Sequence, residues 1–150
     1  GGKHGQGLLE DPNNNNGYRH IGQFKDGKPN GQGMAMGNKL GKYIGEWKDG
    51  RWHGVGIREY PKNHQYHIRY DGQWKEGKKH GQGIWEYANG DRYEGESKDG
   101  KLHGKGVYKF ADGTIWKGEW KDGVRNGENF SQGEMDPPPD LPNNDFHVGS

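Results

Sequence analysis

Residues 99–106, DGKLHGKG, have the composition of a phosphate loop: glycines that let a backbone approach an anion, and a lysine to meet its charge. A nucleotide site of that kind needs one more residue between its glycines, a Ser or Thr after the lysine, and a helix behind it. Here three residues separate Gly100 from Gly104, Gly106 follows Lys105, and Val107-Tyr108-Lys109-Phe110 reads as strand. No helix N-terminus is on offer to an anion. The same stretch returns as DGRWHGVG, EGKKHGQG and GGKHGQG, with Val55, Gln82 and Gln6 at the place of Lys105. A position that changes this freely is not a phosphate ligand.

The histidines invite a metal instead. His4, His53, His80 and His103 share one place in this recurring stretch, which Asn30 and Asn126 fill elsewhere. Equivalent places in successive hairpins lie about 10 Å apart, whereas ligands to one zinc all lie about 2 Å from it. A small polar residue that hydrogen-bonds its own turn accounts for them better. His64 and His67, three apart in PKNHQYHIRY, have no third ligand near them in sequence and read as a partner contact on an enlarged loop. Carboxylates recur at Asp26, Asp49, Glu76, Asp99 and Asp122, each between a lysine and a glycine, which is turn chemistry rather than an acid–base pair. Neither a Ser-His-acid set nor a cysteine nucleophile stands out. The reading is therefore no enzyme, no cofactor and no metal.

Composition limits the rest. Lys and Arg (22) nearly balance Asp and Glu (21), so nothing points to nucleic acid, and the balance opposes the self-repulsion of a disordered chain. Leu, Ile, Val and Phe are scarce, while six Trp, eight Tyr and 30 Gly are abundant. Such a chain builds a thin core in which rings lie over bare backbone. No apolar run approaches the roughly 20 residues of a membrane span, and no signal segment is visible. The expectation is an intracellular protein, soluble or peripherally attached, whose organelle the residues do not specify.

The elements that position these groups are repeats. HIGQFKDGKPNGQG from His20, YIGEWKDGRWHGVG from Tyr43, YDGQWKEGKKHGQG from Tyr70, YEGESKDGKLHGKG from Tyr93 and WKGEWKDGVRNGEN from Trp116 align in phase. Residues 1–9 match the back half of a unit, which reads as a half repeat whose first strand belongs upstream. Alternation puts Tyr43, Gly45 and Trp47 on one face and Ile44, Glu46 and Lys48 on the other. Asp49-Gly50 supplies a hairpin turn, the return strand alternates Gly104, Gly106, Tyr108 and Phe110 with Lys105, Val107 and Lys109, and Asn89-Gly90 or Asp112-Gly113 starts the next hairpin. Glycine inside a strand marks close approach by another group, here a ring. The fold class that follows is all-β: one elongated, twisted antiparallel sheet of stacked hairpins over residues 1–130, with a Pro-rich extended tail at 131–150. At about 4.8 Å per strand it is about 50 Å long. Its open edges allow self-association.

The pattern Tyr70-x-Gly72-x-Trp74-x-x-Gly77-x-x-x-Gly81-x-Gly83 resembles the MORN (membrane occupation and recognition nexus) repeat, and the resemblance extends over residues 1 to about 130. It implies a scaffold or attachment module, of the kind found in ciliary, cytoskeletal and membrane-junction assemblies. Three places depart from the pattern: Ser97 replaces the Trp or Phe of the other units, His20 stands for Tyr, and Arg58 stands where Trp85 and Tyr108 supply rings.

A scaffold needs a contact surface. A row of exposed aromatics, Tyr43, Trp47, Tyr70, Trp74, Trp85, Tyr93, Tyr108, Trp116 and Trp120, is the expected protein-binding face, since Trp and Tyr give large contact area at low entropic cost. The tail, with Pro138 and Phe146, is the expected second contact. The alternative is weak attachment to anionic lipid through the cluster Lys75, Lys78 and Lys79.

Overall fold

The structure is a computed structural model and describes residues 5–10 and 16–126. The described regular structure is all strand: β1 (Gly5–Glu10), β2 (Arg19–Lys25), β3 (Lys28–Gly37), β4 (Gly41–Lys48), β5 (Arg51–Glu59), β6 (His67–Lys75), β7 (Lys78–Tyr87), β8 (Arg92–Lys98), β9 (Lys101–Lys109), β10 (Ile115–Lys121) and β11 (Val124–Asn126). Each pairs antiparallel with the next, giving one open sheet in chain order. The tail beyond residue 126 lies outside the described residues.

The Asp-Gly turns are built to one plan. Asp49 and Gly50 both take positive φ, 49° and 81°, and the other four acid-glycine pairs do the same. Two positive φ angles mark the type I′ turn, whose twist matches that of the strands it joins. The last four turns are also tied to the hairpin before them: Gly50 N–H donates to the Pro29 carbonyl (2.9 Å), Gly77 to Trp52 (2.8 Å), Gly100 to Lys79 (3.0 Å) and Gly123 to Leu102 (2.9 Å). Successive turns therefore stack in a fixed line along one edge of the sheet.

His53 and His103, next to these turns, bond forward rather than to their own turn, a correction to the sequence expectation. His53 Nδ1 accepts the Glu76 N–H at 3.3 Å, and His103 Nδ1 accepts that of Asp122 at 3.4 Å. The cause is the return strand's bulge, which places three residues opposite one. Gly45 pairs with Gly56 and Trp47 with Trp52, leaving Glu46 to face residues 53–55. The Glu46 carboxylate fills that gap by accepting the Val55 N–H (2.8 Å), and Gln23, Gln73 and Glu96 do the same for Gln32, Gln82 and Lys105.

Glycine is required where the strands meet most closely. Gly7, Gly22, Gly33, Gly45, Gly56, Gly72, Gly83, Gly95, Gly106 and Gly118 pair in register as one unbroken column across β1–β10. A Cβ on Gly56 would sit 2.1 Å from the Tyr43 hydroxyl oxygen, and one on Gly45 2.4 Å from Gly56 Cα. The Tyr43 ring lies over this bare backbone and its hydroxyl donates to the Glu46 carbonyl (2.8 Å); Tyr70 and Tyr93 repeat the contact with Gln73 and Glu96. Trp47 and Trp74 donate from Nε1 to the carbonyls of Gly33 (3.1 Å) and Gly56 (3.0 Å) in the preceding unit. Aromatic rings over glycine form the core, as the composition implied.

Candidate functional site

The expected row of exposed aromatics is not exposed. Tyr43, Tyr70, Tyr93 and Trp116 have no accessible surface, Trp85 and Tyr108 have 1%, and Trp47, Trp74 and Trp120 have 3–6%. The rings cover one another. Tyr43 meets Trp47 and Trp74 edge-on at 5.4 and 5.5 Å and stacks on Trp52 at 4.4 Å, while Tyr70 meets Trp74 and Trp85 at 4.9 and 5.5 Å. Two hairpins per ring suffice to bury it, because glycine lets each ring sink onto its neighbour's backbone. The inner face is the core of the array. Pro138 and Phe146 lie outside the described residues.

Lys79 also stands apart from the cluster in which it was expected. Lys75 and Lys78 are on the surface, but Lys79 is 1% exposed on the inner face. Its place in the register is that of Pro29, Trp52, Leu102 and Arg125 in the other units. Its Nζ donates to the Tyr60 hydroxyl and lies 4.3 Å from the Trp85 ring centre. Arg58, 4% exposed, lies over Tyr60 at 4.1 Å and donates from Nε to the Leu40 carbonyl (3.1 Å). Burial, then the nearby Arg58 charge, hold the Lys79 amine well below its ordinary pKa. Burial likewise pushes Tyr60 up to about 12, against the pull of Arg58. At 1% exposure no substrate reaches this amine, so the group packs rather than reacts. His64 and His67 flank this cluster, with rings 5.5 Å apart. His64 Nδ1 accepts the N–H groups of Tyr66 (3.2 Å) and His67 (3.0 Å), which ties down the enlarged loop.

The other departures from the repeat are absorbed into packing. Ser97 Oγ accepts the Trp85 indole N–H at 2.9 Å, so the small residue leaves room for a ring from the unit before. His20 is fully buried and meets Trp47 edge-on at 4.4 Å; neither of its ring nitrogens has a hydrogen-bond partner among the described residues. Burial lowers its pKa.

The accessible chemistry lies on the outer face, in three features. One is a cross-strand row running Leu8, Ile21, Met34, Ile44, Ile57, Asp71, Ile84, Glu94, Val107 and Lys117. Its first half is uninterruptedly apolar, with Leu8, Ile21 and Ile44 exposed by 43–47%, and its second half alternates apolar with charged. Beside the second half runs an open trough of about 830 Å³, in which Gly95, Gly106 and Gly118 lie between Glu94, Val107 and Lys117 on one side and Glu96, Lys105 and Glu119 on the other. The third feature is the turn edge. There Lys25 stands opposite Lys28, Lys48 opposite Arg51, Lys75 opposite Lys78 and Lys98 opposite Lys101, with Lys121 completing the line. The intervening turns contribute one carboxylate each.

These outer features had a signal in the sequence. The row is the residue between Tyr and Gly in each outgoing strand and the residue after the second Gly in each return strand. Those positions are apolar through Ile57 and then turn charged at Asp71, Glu94 and Lys117. The cation pairs are the residues on either side of each acid-glycine turn.

A family model described as the MORN repeat matches five segments, residues 20–35, 43–65, 70–92, 93–115 and 116–128. No curated protein matches the chain.

Proposed function

Because the chain belongs to the MORN repeat family, we propose that it is a non-enzymatic scaffold that holds a protein partner along the outer face of its sheet. Repeats of this family serve protein–protein or membrane–lipid interactions. The observation that carries the protein reading is the in-register row Leu8, Ile21, Met34, Ile44 and Ile57. Five aliphatic positions in consecutive strands, three of them more than two-fifths exposed, make a contiguous apolar strip of the kind that marks an interaction surface. The buried rings give that strip a rigid support, and the Pro-rich tail offers a second contact.

Affinity capture with the native chain and with Ile21→Lys/Ile44→Lys tests this. Both side chains are solvent-facing, so the variant keeps its fold and loses the captured partner. Retention of the same partner would refute the outer-row reading. The lipid reading rests on the cations of the turn edge. It requires sedimentation with phosphatidylserine vesicles at low salt that falls on changing Lys75 and Lys78 to Gln, with Lys79 now excluded by its burial.

A further inference from the structure

The turn edge sets cations directly opposite one another in four consecutive hairpins, an arrangement that is destabilising in the absence of an anion. Nine cations, Lys25 through Lys121, face five turn carboxylates, and all but the half-buried Lys101 are exposed. The last four turns are not free to splay, because each is hydrogen-bonded to the hairpin before it. Arg51, Lys75 and Lys78 from two units converge with Glu76 and Asp99 around a shallow depression of about 240 Å³. The opposite end of the strands is different. There most charges meet an opposite one, Glu10 with Arg19 (3.3 Å), Lys42 with Glu59 (3.8 Å) and Arg69 with Glu86 (3.8 Å), and a single pair of cations, Arg92 and Lys109, stands opposed among the described residues. Among the described residues the turn edge carries the largest cation excess, nine against five.

The chain itself carries the matching charge. Residues 127–150 hold five carboxylates, Glu128, Glu134, Asp136, Asp140 and Asp145, and neither Lys nor Arg. The first 126 residues therefore hold 22 cations against 16 acids. We infer that the turn edge is a docking strip for an extended acidic segment, and that residues 127–150 of this same chain are its occupant. Asn126 lies three residues beyond Gly123, at the last turn of the strip, so the segment starts where the strip ends. In an extended conformation at about 3.1 Å per residue it reaches about 75 Å, while five turns spaced about 10 Å apart span about 40 Å. A segment rich in proline, with Pro137, Pro138, Pro139 and Pro142, favours an extended backbone, which lowers the entropic cost of docking. The covalent link supplies an effective concentration in the millimolar range, enough for a contact made of individually weak surface charges. An acidic partner segment has to displace this occupant.

The test uses the whole 150-residue chain. Zero-length carbodiimide coupling at low salt, with the linked peptides identified by mass spectrometry, is expected to join carboxylates of residues 134–145 to Lys48, Lys75, Lys78 and Lys98. The links should lie within the monomer, persist on dilution, and fall at least about fivefold in roughly 0.5 M salt, where charges are screened beyond a few ångströms. Two variants sharpen the result. Lys75→Gln/Lys78→Gln redistributes the links to the remaining turn lysines. Neutralising the tail (Glu134→Gln, Asp136→Asn, Asp140→Asn, Asp145→Asn) opens the strip, so that a fluorescent peptide of residues 131–150 binds this variant at least about tenfold more tightly than it binds the native chain, whose tethered segment competes. Absence of tail links, links to Lys42, Lys109 and Lys117 as frequent as to the turn lysines, links only between two copies, or equal peptide binding by both chains would each overturn the inference.

Discussion

On the inner face Tyr43 and Trp47 bury their rings on the glycines of neighbouring strands; on the outer face Ile44, between them in sequence, stands 47% exposed. A reading by residue type alone assigns these roles the other way, with rings for contact and isoleucine for core. Glycine decides the matter. A bare column down the sheet lets a large flat side chain sink to van der Waals contact on one face, and the aliphatic residues beside it are left on the other. Exposed aliphatic side chains in register are then the departure from ordinary burial that calls for a partner, and the aromatic repeat signature is the means of support.

The contrast is broken most severely from the inside. Trp85→Ala or Tyr70→Ala is expected to cost about 3–5 kcal/mol in urea unfolding, whereas Ile44→Ala changes stability by less than about 0.5 kcal/mol. Changing Trp47, Trp74 and Trp120 together to Ala unfolds the array and so says nothing about binding. Gly56→Ala drives a methyl group onto the Tyr43 hydroxyl and should cost about 1–3 kcal/mol, a loss measurable in the same experiment.

A smaller effect of opposite sign comes from Lys79. Its equivalent in the following unit is Leu102, fully buried, and Lys79→Leu should raise stability by about 1–3 kcal/mol near neutral pH. The folded state lowers the Lys79 pKa, so the unfolded chain binds the extra proton. Stability therefore rises with pH from the depressed folded value up to the ordinary value of 10.5, and the variant lacks that rise. Tyrosine burial acts in the other direction above pH 10: Tyr60, raised to about 12, stays protonated in the fold while the unfolded chain ionises, so stability then falls. Above pH 7, the unfolding midpoint should accordingly climb and then turn down in the native chain, and only turn down in Lys79→Leu.

A smaller gain is expected at His20. Its burial lowers the pKa, so stability drops as pH falls through about 6.5, where the unfolded chain takes up the proton. His20→Tyr restores the residue of the next three units (Tyr43, Tyr70 and Tyr93) and should gain about 1 kcal/mol while removing that acid-side loss. Equal midpoints at pH 5 and 7 in the native chain would contradict it.

Much of this fold was legible in the sequence. Repeat phase, Asp-Gly turns and alternation fix the strands, and abundant glycine with Trp and Tyr implies rings on bare backbone. The direction of exposure was not legible, because alternation separates two faces without saying which one closes on itself. That depends on the approach of neighbouring hairpins at Gly45 and Gly56, a property of the assembled sheet. Lys79 was misread for a related reason. It neighbours Lys78 in sequence, yet adjacent strand residues face opposite ways, and the position's other occupants, Trp52 and Leu102, mark it as interior. The forward bonds of His53 and His103 depend on a three-against-one bulge that simple alternation does not contain.

The division of labour between the faces is tested most directly by oxidative footprinting of the native chain. Tryptophan reacts faster than isoleucine or methylene groups in an unfolded chain, so burial has to reverse the order. The account predicts that Trp47, Trp74, Trp85, Trp116 and Trp120 are modified slowly while Leu8, Ile21 and Ile44 are modified at surface rates. Modification of those five tryptophans as fast as in the unfolded chain would show that the rings are the open surface, and would contradict it.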